Sequence, residues 1–119
     1  MKRPAVRRKR NKFRAQPTNG FASRLESDVA DKLARELGAG ESLITQVPIQ
    51  FACGAKYIVD FGIVNDATGE IVRYVEAKGQ PLPVWRLKMR LLKYEFPLIY
   101  SRLTVIYGKD MPKRKRALR

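Results

Sequence analysis

Histidine is absent from the sequence of 119 residues. This absence excludes Ser-His-Asp and Cys-His catalysis, histidine-based zinc sites and nucleases whose general base is a histidine. Cys53 is the only cysteine, which excludes an internal disulfide and a cysteine zinc cluster, and we expect it in the core or in a strand. A metal ion would therefore have to be bound through oxygen ligands, the ligands that magnesium prefers.

Long apolar runs are also absent. No stretch approaches the ~18 residues that a membrane span needs, and no apolar segment of the kind found in secretory signals follows Met1-Lys2-Arg3-Pro4. We therefore expect a soluble, cytoplasmic protein with no membrane partner. The hydrophobic fraction of 45% suffices for one modest core, and the length fits one domain.

Acidic residues are scarce, 11 against 25 lysines and arginines, and the net charge is +14. Most of this excess lies at the two ends of the chain, so we expect a disordered basic arm at 1–19, a folded domain at 20–108 and a basic tail at 109–119. Basic arms bind phosphates without sequence choice, which makes a nucleic acid the expected partner, although the arms could serve solubility alone. The basic residues expected to contact DNA from the arms are Arg7, Arg8, Lys9, Arg10, Lys113, Arg114, Lys115 and Arg116.

Hydrophobic periodicity and turn signals predict the order α-β-β-β-α-β, a mixed α/β (α+β) fold with a central mixed sheet and no internal repeat. In the first helix, leucine or valine recurs every four residues. In the first strand, Pro48 favours an edge position or a bend. The expected elements are a helix at 21–37, strands at 42–51, 56–65 and 70–78, a helix at 83–96 and a strand at 101–107.

One acid interrupts a strand that is otherwise apolar on both faces. A buried carboxylate such as that of Asp60 costs several kcal/mol unless a neighbour compensates it. The next strand offers Glu76 and Lys78, which are two residues apart and therefore share a face.

The turn between these strands predicts their register. A three-residue loop with Gly69 in the left-handed conformation places Asp66 opposite Glu70, and the same register places Asp60 opposite Glu76. Their Cβ atoms would then lie ~4.5–5.5 Å apart, where a divalent cation would remove the repulsion between the carboxylates. The alternative is a structural ion-pair cluster of both acids with Lys78.

Two further charged residues lie among apolar residues on their helical faces. Glu26 falls inside the apolar arc of the first helix, which predicts that it faces the sheet, whereas Ser23-x-x-Glu26 is also the pattern of a capping box. Lys88 falls inside the apolar arc of the second helix, where it either extends to solvent, towards Glu95, or reaches the carboxylates and holds a phosphate. That apolar arc consists of Val84, Trp85, Leu87, Met89, Leu91, Leu92, Tyr94 and Phe96, and the opposite face carries Arg86, Arg90 and Lys93.

In order and spacing, these motifs resemble the PD-(D/E)xK nuclease superfamily, with Val59 where the motif's name has proline. They resemble most the bacteriophage endonuclease I family of Holliday junction resolvases. The likeness covers about residues 21–97. The matching residues are Phe21, Ser23, Leu25 and Glu26 in the first helix, Asp60-Phe61, and Glu76, Lys78 and Gly79.

The resemblance implies a restriction-endonuclease-like core and a homodimeric endonuclease that cuts branched DNA such as four-way junctions, in the bacterial host cytoplasm if the protein is phage-encoded. It implies magnesium, or alternatively manganese, held by Asp60, Glu76 and the backbone carbonyl of Ala77, with Glu26 assisting, and no organic cofactor. Lys78 would orient the attacking water or stabilise the phosphate, and Lys88, Arg86, Arg90 and Lys93 would contact DNA. The alternatives are another nuclease of the superfamily, such as a nicking or end-processing enzyme, and a non-catalytic nucleic-acid-binding protein with this fold.

Overall fold

The computed structural model of the protein describes residues 23–112, so the expected basic arm at 1–19 and the tail residues 113–119 lie outside the described part of the chain. Within it, the predicted order of helices and strands is confirmed, with one additional short helix. The elements are α1 at Arg24–Glu36, β1 at Glu41–Gln50, β2 at Lys56–Asn65, β3 at Ile71–Lys78, α2 at Pro83–Glu95, α3 at Pro97–Ser101, β4 at Leu103–Tyr107 and a 3₁₀ turn at Gly108–Asp110.

The four strands form one mixed sheet in the order β1-β2-β3-β4. The first two pairs are antiparallel, and β3 pairs with β4 in parallel. Pro48 lies in an edge strand, as predicted. The additional helix α3 begins at Pro97, because proline is favoured at the first position of a helix, where the N–H that it lacks would have no helical partner.

Two apolar clusters cover the two faces of the sheet. On one face, Val29 and Leu33 of α1 are fully buried against Phe61 and Val75, which confirms the predicted apolar stripe of the first helix. On the other face, Leu92 of α2 packs into a second cluster, which includes Val47, Ile49, Phe51, Tyr57, Val59 and Tyr74.

Strand β2 changes face at Asp60. Tyr57 and Val59 belong to the cluster beneath α2, whereas Phe61 belongs to the cluster beneath α1, although strict alternation would keep these three on one side. Gln46 of β1 lies between the partners of Phe61 and Val59 and has a φ of 57°, which is unusual for a residue other than glycine. The irregular backbone therefore lies across from Asp60.

The turn between β2 and β3 differs in detail from the prediction. Asn65 and Glu70 pair at its base, since the Asn65 N–H donates to the Glu70 carbonyl at 2.8 Å, so the loop has one residue more than expected and Asp66 is not opposite Glu70. Gly69 is left-handed, as predicted, with a φ of 73°. A β-bulge between Ile63 and Val64 then restores the predicted register, which is confirmed at Phe61↔Val75.

One prediction of burial is wrong, and part of the apolar arc of α2 is exposed. Cys53 is exposed in the turn between β1 and β2 instead of lying in the core or a strand. In α2, Val84, Leu87 and Tyr94 are exposed, because the cluster beneath α2 takes up only part of its broad apolar arc. Among residues 23–112, no helix is long and apolar enough to cross a lipid bilayer.

Candidate functional site

Strands β2 and β3 separate at the two acids. Within the described residues, the pairing of β2 with β3 ends at Phe61↔Val75. Beyond this point each strand pairs only with its outer neighbour: β2 with β1 as far as Lys56, and β3 with β4 as far as Lys78. Past the end of the β2–β3 pairing, the backbone N–H of Ala77 donates to Oδ2 of Asp60 at 2.9 Å. The Asp60 side chain thus accepts a hydrogen bond that a strand carbonyl would otherwise accept.

Glu76 is held by two side chains. The phenol of Tyr57 donates to Oε2 of Glu76 at 2.7 Å, and Nζ of Lys78 lies 3.7 Å from Oε1. The contact with Lys78 follows from the shared face that their spacing predicted. One carboxylate oxygen is therefore fixed by a buried hydrogen bond, and the other faces a positive charge.

The two carboxyl groups are buried and close together, with exposures of 9% for Asp60 and 5% for Glu76. Burial raises the pKa of Asp60, while hydrogen bonds from Ala77 and Glu76 lower it. Burial and then the charge of Asp60 raise the pKa of Glu76 to about 7. The raised pKa values follow from the burial of two like charges next to each other, which disfavours ionisation of both carboxyl groups at once.

The aromatic ring of Tyr57 completes the buried side of the site. Burial raises the pKa of its phenol, and the neighbouring charge of Glu76 raises it further. The phenol consequently stays protonated at neutral pH and remains a donor to Glu76. Sequence reasoning missed this role, because no local pattern indicates that a tyrosine three residues before Asp60 in the same strand contacts Glu76.

Glu26 is placed differently from the other predicted site residues. The Oγ of Ser23 accepts a 3.2 Å hydrogen bond from the backbone N–H of Glu26, which is one half of the capping box. Among residues 23–112 no three histidine, cysteine or acidic side chains are placed to hold a metal ion together, so Glu26, Asp60 and Glu76 do not form such a group. That Glu26 assists at the site stays a prediction.

A pocket of about 400 Å³ adjoins Glu76. Lys88 lines it together with Lys78, which favours the alternative in which Lys88 reaches towards the acids. Glu95 instead accepts hydrogen bonds from the backbone N–H of Ala52. The remaining lining residues are Lys56, Tyr57, Ile58, Leu82, Val84 and Trp85.

The other predicted DNA contacts of α2 lie outside this pocket. Arg86 lines a second pocket beside Trp85. Arg90 is exposed, and Nζ of Lys93, also exposed, lies 5.8 Å from the ring centroid of Tyr100. These three residues thus remain available to solvent partners, while Lys88 alone of the four accompanies the acidic pair.

The donor set fits a hard divalent cation in part. Asp60 and Glu76 supply carboxylate oxygens in a buried place where their charges repel, and magnesium binds through oxygen. A magnesium ion commonly takes one or two carboxylates and completes its shell with water and substrate phosphate. Two acids are therefore an adequate protein contribution, with the Ala77 carbonyl and Glu26 as the further ligands that the resemblance implies.

No protein-family model, no curated protein and no solved structure matches the chain.

Proposed function

We propose that the chain is a metal-dependent DNA endonuclease of the PD-(D/E)xK type, with Asp60 and Glu76 as ligands of a magnesium ion. The observation that carries this proposal is the pair of adjacent, buried carboxyl groups at the point where β2 and β3 separate. A buried acidic pair destabilises a fold unless something compensates it, and carboxyl groups with raised pKa values beside a pocket favour a functional site over a structural element.

Each residue of the site would have a separate role in hydrolysis. The Ala77 N–H fixes the Asp60 carboxylate, and the Tyr57 phenol fixes Oε2 of Glu76, so both acids are oriented before substrate arrives. When bound, the metal ion would supply a water of lowered pKa and neutralise charge on the phosphate. The ammonium of Lys78 would orient the attacking water or stabilise the charge that develops on the phosphate.

The charge around the acids fits a DNA substrate. Lys56, Lys78 and Lys88 line the adjoining pocket, so a phosphate that approaches Glu76 meets three ammonium groups. The basic residues of 1–19 and 109–119 would add affinity without sequence preference. The pocket thus directs the phosphate to the acids, and the ends of the chain hold the DNA.

We further propose that the enzyme is a homodimer that selects branched DNA, as a Holliday junction resolvase does. Paired incisions require two symmetry-related sites, which a twofold dimer provides. The exposed apolar residue Leu87 on α2 and the edges of β1 and β4, which no other strand of residues 23–112 covers, offer surface that a second copy could cover.

A second candidate function is supported by the ion pair of Lys78 with Glu76. A structural cluster of two acids and one lysine would suit a nucleic-acid-binding protein that performs no cleavage. A nicking or end-processing nuclease of the same superfamily would use the same acids on other substrates.

The deciding experiment incubates the chain with a four-way junction and with a linear duplex of matched sequence, each with and without magnesium. The proposal expects magnesium-dependent cuts in the junction in preference to the duplex, and a dimer by light scattering. Equal cutting of both substrates, or a monomer on DNA, would favour the other nuclease alternatives. Binding without cleavage in magnesium or manganese would favour the non-catalytic alternative.

A further inference from the structure

We propose that the pocket beside Glu76 binds an unpaired nucleotide of a nucleic-acid strand. The chain would thereby recognise a position where the substrate's bases are not stacked in a regular duplex. This inference rests on the proposed function in that the substrate is a nucleic acid, and it specifies the feature of the substrate that the site would bind.

The pocket's walls suit a nucleobase. The indole of Trp85 forms one wall, and the exposed apolar side chains of Ile58, Leu82 and Val84 form others. Unpaired bases bind proteins by stacking on aromatic rings and packing against apolar side chains, with little dependence on which base is present. The volume of about 400 Å³ lies within the range typical of small-ligand pockets.

The geometry of duplex DNA explains why the nucleotide should be unpaired. In a regular duplex each base is covered by its neighbours above and below, so it cannot also fill a protein pocket. Bulged, mismatched and single-stranded bases have already lost part of their stacking or pairing, so a base of this kind enters a pocket at lower cost. The pocket would therefore favour these structures over a continuous duplex.

The charges of the pocket suit the nucleotide's phosphate. Lys56, Lys78 and Lys88 line the pocket against the single acid Glu76. Nζ of Lys78 lies 5.2 Å from the ring centroid of Trp85 and 3.7 Å from Oε1 of Glu76. Lys78 therefore connects the base-binding wall to the acidic pair, and a phosphate that follows the bound base would lie between them.

An unsatisfied donor marks the same wall. The indole N–H of Trp85 is buried and has no acceptor at good hydrogen-bonding geometry among residues 23–112; its one approach is a loose hydrogen bond to the phenol of Tyr57, which lowers the pKa of that phenol. Buried donors in folded proteins are nearly always paired. A nucleotide offers many acceptor oxygens and nitrogens, so a small adjustment of the ring on binding would provide a partner.

Trp85 is the only tryptophan of the chain, so tryptophan fluorescence, excited selectively over the tyrosines, reports on the surroundings of this one residue. The test titrates the full chain, in chelator and without metal, with a duplex that contains one unpaired nucleotide and with the same duplex fully paired. We expect the unpaired nucleotide to quench Trp85 and to tighten binding about tenfold, the size expected of one stacked base. Equal quenching and equal affinity for the two duplexes would overturn the proposal.

A matched pair of variants localises the effect. Ile58→Glu places a carboxylate in the pocket, and Ile44→Glu makes the same change at an exposed isoleucine of β1 that does not line it. We expect Ile58→Glu to lose the preference for the unpaired nucleotide while Ile44→Glu keeps it, with both variants folded by circular dichroism. Equal behaviour of the two variants would overturn the assignment to this pocket.

Two further probes separate other occupants. A free deoxynucleoside monophosphate that quenches Trp85, with no preference between the duplexes, would mean that the pocket binds a small molecule and not a strand. If a glutamate-rich peptide quenches Trp85 as strongly as the duplex with one unpaired nucleotide does, the pocket recognises negative charge alone. Both results contradict the proposal, and neither depends on cleavage, so they are independent of the test of nuclease activity.

Discussion

The phenol of Tyr57 donates a 2.7 Å hydrogen bond to Oε2 of Glu76, across the place where β2 and β3 separate. Tyr57 itself is buried in the cluster beneath α2, so the core fixes the position of the donor. The orientation of Glu76 is thus determined by packing on the far side of the sheet from α1. A partner of this kind acts on a metal site by orienting its ligand.

Tyr57→Phe removes the hydroxyl and keeps the ring. We expect the magnesium concentration for half-maximal cleavage to rise about tenfold, because Glu76 is no longer oriented by its buried partner. Tyr94→Phe, at an exposed tyrosine of α2, is the control and should leave that concentration unchanged. If Tyr57→Phe lowers only thermal stability and leaves the magnesium dependence intact, Tyr57 has no role beyond packing.

Asp60→Asn distinguishes the acidic pair from a structural ion-pair cluster. The asparagine oxygen can still accept from the Ala77 N–H, and the like-charge repulsion disappears, so the metal-free protein should be at least as stable as the unaltered chain. Asp66→Asn is the control, since Asp66 also accepts a hydrogen bond, from Ser42, but lies exposed in a turn. A loss of ~3 kcal/mol or more in the free energy of unfolding would instead indicate a structural network.

The raised pKa of Glu76 predicts how stability depends on pH. Burial and the Asp60 charge raise this pKa from 4.5 to about 7, so the folded protein binds more protons than the unfolded chain between these values. The stabilising contribution of the protonated carboxyl is therefore complete below the unfolded value and is lost as the pH rises through the folded value.

For the metal-free protein, this predicts a free energy of unfolding that falls by on the order of 2 kcal/mol between about pH 4.5 and pH 7. Urea denaturation across this interval measures the change. Glu76→Gln should remove most of the decline, because its side chain does not titrate, whereas Asp31→Asn on α1 should preserve it. A decline that persists in Glu76→Gln would assign the effect to other groups.

Patterns of apolar residues predicted most of the fold because alternation and helical periodicity are local properties of the chain. The stripe through Val29 and Leu33 correctly identified the buried face of α1. The register that pairs Phe61 with Val75 was also predicted correctly, although the predicted turn had one residue too few. The two differences cancel, because the β-bulge between Ile63 and Val64 compensates for the additional loop residue. Bulges have no dependable sequence signal, so this compensation could not be predicted.

The rest of the site depends on tertiary geometry. Nothing local indicates that Tyr57 reaches Glu76, since β2 must change face at Asp60 for Tyr57 to lie beneath α2. Similarly, the sequence does not show that Lys88 lines the pocket beside Glu76, because this depends on how α2 packs against the sheet. Periodicity could not indicate that Val84, Leu87 and Tyr94 are exposed, because an apolar arc identifies the face of a helix and not how much partner surface exists to cover it.

The expected basic arm at 1–19 lies outside the described residues, and its role in DNA binding can be tested separately. Deleting residues 1–16 should weaken DNA binding and flatten its salt dependence, because each engaged phosphate contributes ~0.9 to the slope of log K against log salt for duplex DNA. Fluorescence anisotropy with labelled DNA at several salt concentrations measures the slope. An unchanged slope would mean that the arm does not contact DNA.

The central claim is that Asp60 and Glu76 hold the metal ion for phosphodiester hydrolysis. The most direct measurement follows cleavage of a four-way junction in magnesium by the unaltered chain, Asp60→Asn, Glu76→Gln and the control Asp66→Asn, with junction binding measured in parallel. We predict that Asp60→Asn and Glu76→Gln bind the junction but do not cut it, and that Asp66→Asn cuts it like the unaltered chain. Full magnesium-dependent cleavage by Asp60→Asn or Glu76→Gln would contradict the account.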